Sequence, residues 1–460
     1  MSEFHSDSKI VDIEQHLQKL YILINKFRWL IDIYISDFFT EKLCERVNKS
    51  WWATLTSLKS EELLSLLSDG QWKSSKVWPL GLLAYRRAIH SLSLKRYIPE
   101  SVKFKDGQYL NLNQIFRKHV KPKKQHEIHS AAKLINDISQ NVGSNSLIDF
   151  GGGQGHLSRL LSYQYGLNAI TIDACSDHQV KNEIFDREIE RVLRNDVNVQ
   201  RCHVIETIQT DTIPNQFIDK INQTTINQKD KNHQLLKNLD QNEQLDKKFT
   251  FITLHGCGNL IPTILRLYSN CTSAVGLVNV SCCYMKMDEL TSFPLSSFLR
   301  SKSDSNLSWE AKELACHFID SYMEKLMENH PNLKSHCYRA AMQEVLKEKD
   351  ETFCNSTIKL KVKNIYEMNF TTYAEKVLEK LKFSPGLTEY QEERSKERLL
   401  KWFDVVVLYV LRLAIAPVIE SVILLDRLLF LKEQGFKSYI QPIFDPSVSP
   451  RNFALISEKI

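Results

Sequence analysis

The sequence predicts an α/β fold: a Rossmann-like core with a helical N-terminal region and a helical insertion before the last two strands. Three observations predict it. Short apolar runs alternate with helical segments from Ser146 onward, a glycine-rich turn marks the first strand-to-helix junction, and a pair of strand-like runs closes the chain. At 460 residues, 43% hydrophobic and 25% charged, the chain has the composition of an ordinary globular protein with room for about two to three domains.

Residues 1–120 read as a helical region, because apolar residues recur at helical spacing over Ile10 to Ile35 and again over Glu61 to Leu67. Trp51, Trp52, Trp72 and Trp78 are expected to anchor its core. Residues 121–288 form the first part of the core. Its strands are expected at Ser146 to Phe150, Asn168 to Asp173, Val199 to Ile205, Phe249 to His255 and Ala274 to Val280, with helices at Leu157 to Tyr165, His178 to Leu193 and Leu260 to Ser269. An Asn/Gln-rich stretch at about 219–248 reads as a partly disordered surface insertion. Residues 289–400 read as a helical insertion. Residues 401–460 complete the core with a last helix, Pro417 to Gln434, stopped at Gly435, and two strands, Phe436 to Ile443 and Phe453 to Ile460, the final one hairpinned into the sheet edge.

The net charge of +5 permits an anionic partner without demanding one. Met1 to Asp12 is polar and lacks the apolar segment of a secretory signal, so an intracellular, reducing location in cytoplasm or nucleus is expected. The ten cysteines then read as thiols. Val405 to Leu425 approaches the length that spans a bilayer. Arg412, Pro417 and Glu420 interrupt it, which favours a buried helix pair over a membrane span, single-pass membrane association being the minor alternative.

The run Asp149-Phe150-Gly151-Gly152-Gly153-Gln154-Gly155 has the form of a nucleotide-cofactor turn, in which Gly151, Gly153 and Gly155 let backbone N–H groups approach a ligand. A dinucleotide fingerprint would need glycine at His156. Two carboxylates tilt the reading towards S-adenosyl-L-methionine: Asp149, expected to meet the ammonium of the methionine moiety, and Asp173, placed to accept the ribose hydroxyls. Glu206 and Asp211 are candidates for the adenine amino group.

By the general rule for open α/β sheets the acceptor lies at the carboxyl ends of the fourth and fifth strands. There stand His255-Gly256-Cys257-Gly258-Asn259 and Ser281-Cys282-Cys283-Tyr284, which make His255, Asn259, Cys283 and Tyr284 the candidate catalytic residues. His255 is either a general base or a histidine bonded to backbone at a strand end, and no partner for it is visible. Zinc is not expected: neither cysteine pair has CxxC spacing, and adjacent cysteines rarely point at one centre. The basic run from Lys121 to Glu127 reads as a phosphate contact or a solvated helix start. His336-Cys337-Tyr338-Arg339 and Ser449-Pro450-Arg451-Asn452 are further candidates for framing a groove. No polar-Pro-Pro-aromatic turn follows the fourth strand, which weighs against adenine-N6 chemistry.

These segments resemble the methyltransferase-like protein 25 family, whose close members are named ribosomal RNA adenine dimethylase domain-containing proteins. The likeness runs through KPKKQHEI (121–128), DFGGGQGHLSRLLSYQYGL (149–167), LHGCGNL (254–260), VSCCYMKM (280–287), HCYRAA (336–341), LLDRLLFLKEQGF and the late SPRN. It implies a class I S-adenosylmethionine-dependent methyltransferase with the cofactor on Asp149, Gly151, Gly153, Gly155 and Asp173. The His-x-Cys-Gly turn and paired cysteines also look like those of a transfer RNA ribose 2′-O-methyltransferase group, which implies RNA as the acceptor. The weak net charge leaves a ribosomal or other basic protein as one alternative, and a non-catalytic S-adenosylmethionine-binding scaffold is the other. One departure is Asn259, where relatives often carry Asp.

Overall fold

The apolar runs pair into one large sheet in the computed structural model, which describes residues 7–70, 74–96, 104–105, 108–109, 111–193, 199–209, 211–233, 248–288, 291–353 and 362–459. A short hairpin of β1 (Phe104–Lys105) and β2 (Gln108–Tyr109) precedes it, within the helical N-terminal region. The sheet strands follow as β3 (Ser146–Phe150), β4 (Asn168–Asp173), β5 (Arg201–Ile205), β6 (Phe249–Gly256), β7 (Ala274–Ser281), β8 (Lys437–Pro442) and β9 (Phe453–Glu458). They lie in the order β5-β4-β3-β6-β7-β9-β8.

Five neighbouring strands, β5 to β7, are parallel, and β9 runs antiparallel to both β7 and β8. The last strand therefore does not close the sheet edge, as a simple hairpin would. It inserts between β7 and β8, pairing Val278 with Ile456 and Tyr439 with the same Ile456, and leaves β8 outermost. Burial accounts for this. All six residues of β9 are buried, whereas Lys437 and Gln441 of β8 are exposed, as suits an edge.

Both faces of the parallel strands are covered, so they read as continuous apolar runs. On one face Leu147, Ile252, Val278 and Ile456 pack with Ile128, Ile135, Leu157 and Leu161 from the helices Pro122–Asn141 and His156–Tyr165. On the other, Phe150 meets Phe251 edge-on at 4.9 Å and stacks on Phe217 at 5.9 Å. Phe217 belongs to the helix Pro214–His233, so the first half of the stretch expected to be disordered is helical; residues 234–247 lie outside the described residues.

The chain folds as two compact units. The sheet unit comprises Met1–Lys19, Leu94–Leu307 and Ser421–Ile460; the helical unit comprises Leu20–Ser93 and Ser308–Glu420. In the helical unit, Phe27 packs on Tyr85 (4.6 Å) and Trp51 (6.2 Å), Trp52 lies near Phe38, and Trp78 is buried; Trp72 is outside the described residues.

Trp402–Glu433 is long and apolar enough to cross a membrane by length and composition alone, with a mean hydropathy of 2.1 in its most apolar stretch. Ninety-four per cent of that stretch is buried within the protein. The segment consists of two helices, Trp402–Leu413 and Ala416–Glu433, and Arg412 donates to the backbone oxygens of Ile31 (2.9 Å) and Glu310 (3.2 Å). A buried guanidinium is tolerable with such partners. The second helix stops at Gly435, whose φ of 80° opens the turn into β8.

Candidate active site

The glycine turn leaves β3 and enters the helix His156–Tyr165. Gly151, Gly153 and Gly155 have φ of 68°, 58° and 62°, a left-handed backbone that strains any residue with a Cβ. Gly153 has open space on its Cβ side, whereas a Cβ on Gly152 would come within 2.5 Å of Thr171 and 2.7 Å of the Asp149 carboxylate. The turn is thus pressed against the sheet behind and open in front.

Asp149 is the penultimate residue of β3, at the foot of the turn. It is 1% exposed, and its carboxylate lies against Gly152 of the turn, bonded to the Ser158 hydroxyl. Burial pushes its carboxyl up to about 6, against the pull of Ser158 and Lys124. Asp173, at the end of β4, accepts the Gly153 N–H and the Cys175 N–H, each at 2.9 Å, and pairs with His178 at 2.9 Å. Asn182 donates to the Gly153 carbonyl at 2.9 Å.

Behind these sits a buried charge cluster that sequence reasoning missed. Asp186 pairs with Arg159 (2.7 Å), Arg201 (3.0 Å) and His203 (2.9 Å), and Arg159 also donates to the Gln154 carbonyl of the turn (3.2 Å). Burial alone would raise Asp186, but Arg201, His203 and Arg159 hold it down at about 2. The four residues come from three elements, two helices and β5, so no local motif announces the cluster.

Beyond Asp173, Glu206 follows β5, its N–H bonded to the Asp173 carbonyl and its carboxylate paired with Lys220. Glu206 and Asp211 line one concavity of about 470 Å³ together with Ile205, Thr207, Gln209 and Thr212. Both adenine candidates therefore face the same space.

At the other side of the sheet's carboxyl end, the β6–β7 pairing slips between Leu254 and Gly256, and His255 takes up the extra residue with φ of 70°. The bulge turns His255 towards the helix Pro122–Asn141. There its Nε2 lies 2.8 Å from Glu127, whose other oxygen accepts the Ser449 hydroxyl at 2.7 Å. Burial alone would raise Glu127, but the His255 hydrogen bond and charge, Lys124 and Ser449 bring it down to about 2. His255 thus has a partner that no neighbouring residue in the sequence reveals. Glu127 stands inconspicuously in the basic run, and Ser449 in the late SPRN.

The same slip brings the loops after β6 and β7 together. Gly258 N–H bonds to the Cys283 carbonyl (3.3 Å), Cys282 N–H to the Gly256 carbonyl (3.2 Å), and a Cβ on Gly258 would come within 2.6 Å of the Lys286 carbonyl. As a result Cys257, Cys282 and Cys283 converge, with Sγ–Sγ distances of 3.0 Å (257–282) and 3.4 Å (282–283). The geometric ground for setting a metal aside, that adjacent cysteines point apart, fails here: all three sulfurs lie within 4.8 Å of one another. Cys257 is held below the ordinary thiol range, at about 6, by the neighbouring thiols' hydrogen bonds and by Lys286, while Cys282 and Cys283 are pushed up.

Two acceptor-side candidates have other employment. Asn259 donates to Asp288 (2.7 Å) and accepts from the Asp288 N–H (2.8 Å) and Ser292 hydroxyl (2.6 Å), so it staples two loops together. Tyr284 is buried between the guanidinium groups of Arg427 and Arg451, 5.6 and 5.7 Å from its ring centroid. In the helical unit, His336 is half-buried and stacks on Tyr409 at 4.0 Å, and Cys337 is buried in the same helix.

A parallel sheet closed by an inserted antiparallel strand, a left-handed glycine turn with an open front and an acidic residue ending the next strand define a class I S-adenosylmethionine-dependent methyltransferase. The residues suit the cofactor: Gly151 to Gly155 would lie along its methionine part, Asp173 at the ribose, and Glu206 or Asp211 at the adenine.

Residues 123–290 match the family described as Methyltransferase domain. The chain is distantly homologous to "Probable methyltransferase-like protein 25" of Homo sapiens, at 22% identity over 77% of both chains. The Mus musculus protein of the same name is 28% identical over 45% of this chain and 37% of its own length. Two solved structures are also similar. The plantazolicin methyltransferase BpumL with a desmethyl analogue and SAH is 10% identical, covering 46% of this chain and 66% of that one, with a TM-score of 0.21. Coclaurine N-methyltransferase bound to N-methylheliamine and SAH is 11% identical, covering 88% and 90%, with a TM-score of 0.22.

Proposed function

We propose that this methyltransferase acts on a hydroxyl group that His255 deprotonates, and that an RNA ribose supplies the hydroxyl. The observation that carries the reading is the 2.8 Å bond between His255 Nε2 and the buried Glu127 carboxylate at the end of β6. S-adenosylmethionine, when bound, supplies an electrophilic sulfonium methyl. A hydroxyl attacks it well only as its proton leaves, so a positioned base is the protein's main chemical contribution. With Glu127 ionised, Nε2 carries the hydrogen and Nδ1 keeps its lone pair, which makes Nδ1 the basic atom. Glu127 is a positioning residue, and Ser449 in turn orients Glu127.

RNA is favoured by Lys121 and Lys123, at the start of the helix that carries Glu127. A second reading takes a ribosomal or other basic protein as acceptor. The mild charge of +5 favours it, being weak for a chain that must hold a polyanion. A third, a cofactor-binding scaffold without turnover, is favoured by Asn259, whose amide is spent on loop contacts. An intracellular location accompanies all three readings.

The test is transfer of labelled methyl from S-adenosylmethionine to total RNA and, separately, to total protein. Label in RNA, lost in His255→Ala and Glu127→Gln while cofactor affinity persists, is the expected result. Label in protein alone selects the second reading, and cofactor binding without any product selects the third.

A further inference from the structure

We infer that Cys257, Cys282 and Cys283 form a three-thiolate site for a zinc ion, beside the cofactor turn and independent of which acceptor the enzyme uses. Zinc bonds thiolate sulfur at about 2.3 Å, so sulfurs sharing one tetrahedral ion stand about 3.8 Å apart. The observed sulfurs, from 3.0 Å to at most 4.8 Å apart, bracket that spacing, and small side-chain rotations bring them to it. The backbone is already set: the bulge at His255 and the bonds Gly258 N–H to Cys283 and Cys282 N–H to Gly256 lock the two loops that carry the thiols.

The surroundings suit an ion with three thiolates, whose net charge is −1. The cations of Lys286 and Lys124 act on these thiols, Lys286 on Cys257 and Cys283 and Lys124 on Cys282. The His255 carbonyl faces the pair as well, 3.5 Å from the Cys257 sulfur and 3.3 Å from that of Cys282. Each of the three cysteines is only partly buried, so the site is reachable from solvent. Three protein ligands leave a fourth position open to water or to an incoming group, the coordination that distinguishes a reactive zinc from a closed structural one. Among the described residues these three are the one such cluster of metal-ligating side chains.

The experiment titrates the reduced full-length chain with Co²⁺ under anaerobic conditions, then adds Zn²⁺. One equivalent of cobalt per chain should give the thiolate-to-cobalt charge-transfer absorption of a tetrahedral site, and zinc should abolish it. Loss of an outer partner alone weakens metal binding about 10–100-fold, so Cys257→Ser and Cys282→Ser should weaken it at least about 100-fold. Cys175→Ser, at an exposed cysteine outside the cluster, should leave it unchanged. Circular dichroism and S-adenosylmethionine binding report whether each variant folds. Should the serine variants fail to fold, alkylation of the wild type mapped by mass spectrometry decides: zinc should shield Cys257, Cys282 and Cys283 together and leave Cys175 reactive. A wild type that gives no charge-transfer band, or a band that survives in a folded Cys257→Ser, or thiols that alkylate equally with and without zinc, would overturn the inference.

Discussion

The two halves of the site are built in different ways. The cofactor turn is made of backbone: the N–H groups of Gly151 and Gly152 bond to the Ile172 carbonyl, that of Gly155 to the Gly152 carbonyl and that of Gly153 to Asp173. Asn182 donates to the Gly153 carbonyl, Asp149 lies against Gly152, and Gly153 leaves open space. The acceptor face is made of side chains gathered from distant segments: Glu127 from a helix before the sheet, His255 and Cys257 after β6, Cys282 and Cys283 after β7, and Ser449 between the last strands. A backbone site fails when a Cβ intrudes or its supports give way. A side-chain site fails when one functional group is removed, with the fold and the first site left standing.

That contrast can be broken at either end. The largest effect is expected at the acceptor face, where His255→Ala should lower turnover about 10²–10⁴-fold, the usual worth of a general base, without changing cofactor affinity. Single-turnover kinetics beside binding calorimetry separates the two. Equal losses in both would mean that His255 belongs to the cofactor half.

On the backbone side, Asp186→Asn leaves Arg159 and Arg201 without their buried carboxylate and should destabilise the fold by about 3–5 kcal/mol in denaturant melts. The pH dependence has a definite sign. A carboxyl held at about 2 contributes its full stabilisation above the unfolded value of about 3.9, and that contribution drains away as pH falls towards 2. Wild type should therefore lose stability over that acid range, and Asp186→Asn should lack that part of the slope.

A smaller effect is expected for Ser449→Ala. Removing one buried hydrogen bond to an ionised carboxylate should cost about 1.5–3 kcal/mol of stability and leave Glu127 bonded to His255, so turnover should fall less than in His255→Ala. A loss as large as that of His255→Ala would make Ser449 a partner in the chemistry.

The same division explains what could be read in advance. Strands β3, β4, β6 and β7 and the glycine turn are local features, written in consecutive residues, and they stand within a residue of where the apolar runs put them. What depends on distant partners was hidden. Nothing near His255 names Glu127, because the two are brought together by a helix packed across the sheet and by a bulge of one residue. Spacing rules written for single loops set the thiols apart, yet Cys257 meets Cys282 across a strand pair. Asn259 and Tyr284 stand in suggestive turns, but hydrogen bonding and burial give them structural work. The place of β9 inside the sheet follows from the burial of its whole length, which a hairpin signal alone does not distinguish from an edge.

The central claim is that the open front of the glycine turn holds S-adenosylmethionine. Calorimetry with that ligand on wild type and on Gly153→Arg tests it most directly. Gly153 has open space beside it and φ of 58°, so the variant should fold with about 1–2 kcal/mol of backbone strain while its side chain fills the ligand's place. One molecule bound per wild-type chain and no binding heat from the folded variant is the predicted result. Equal affinity of the two proteins would contradict the account.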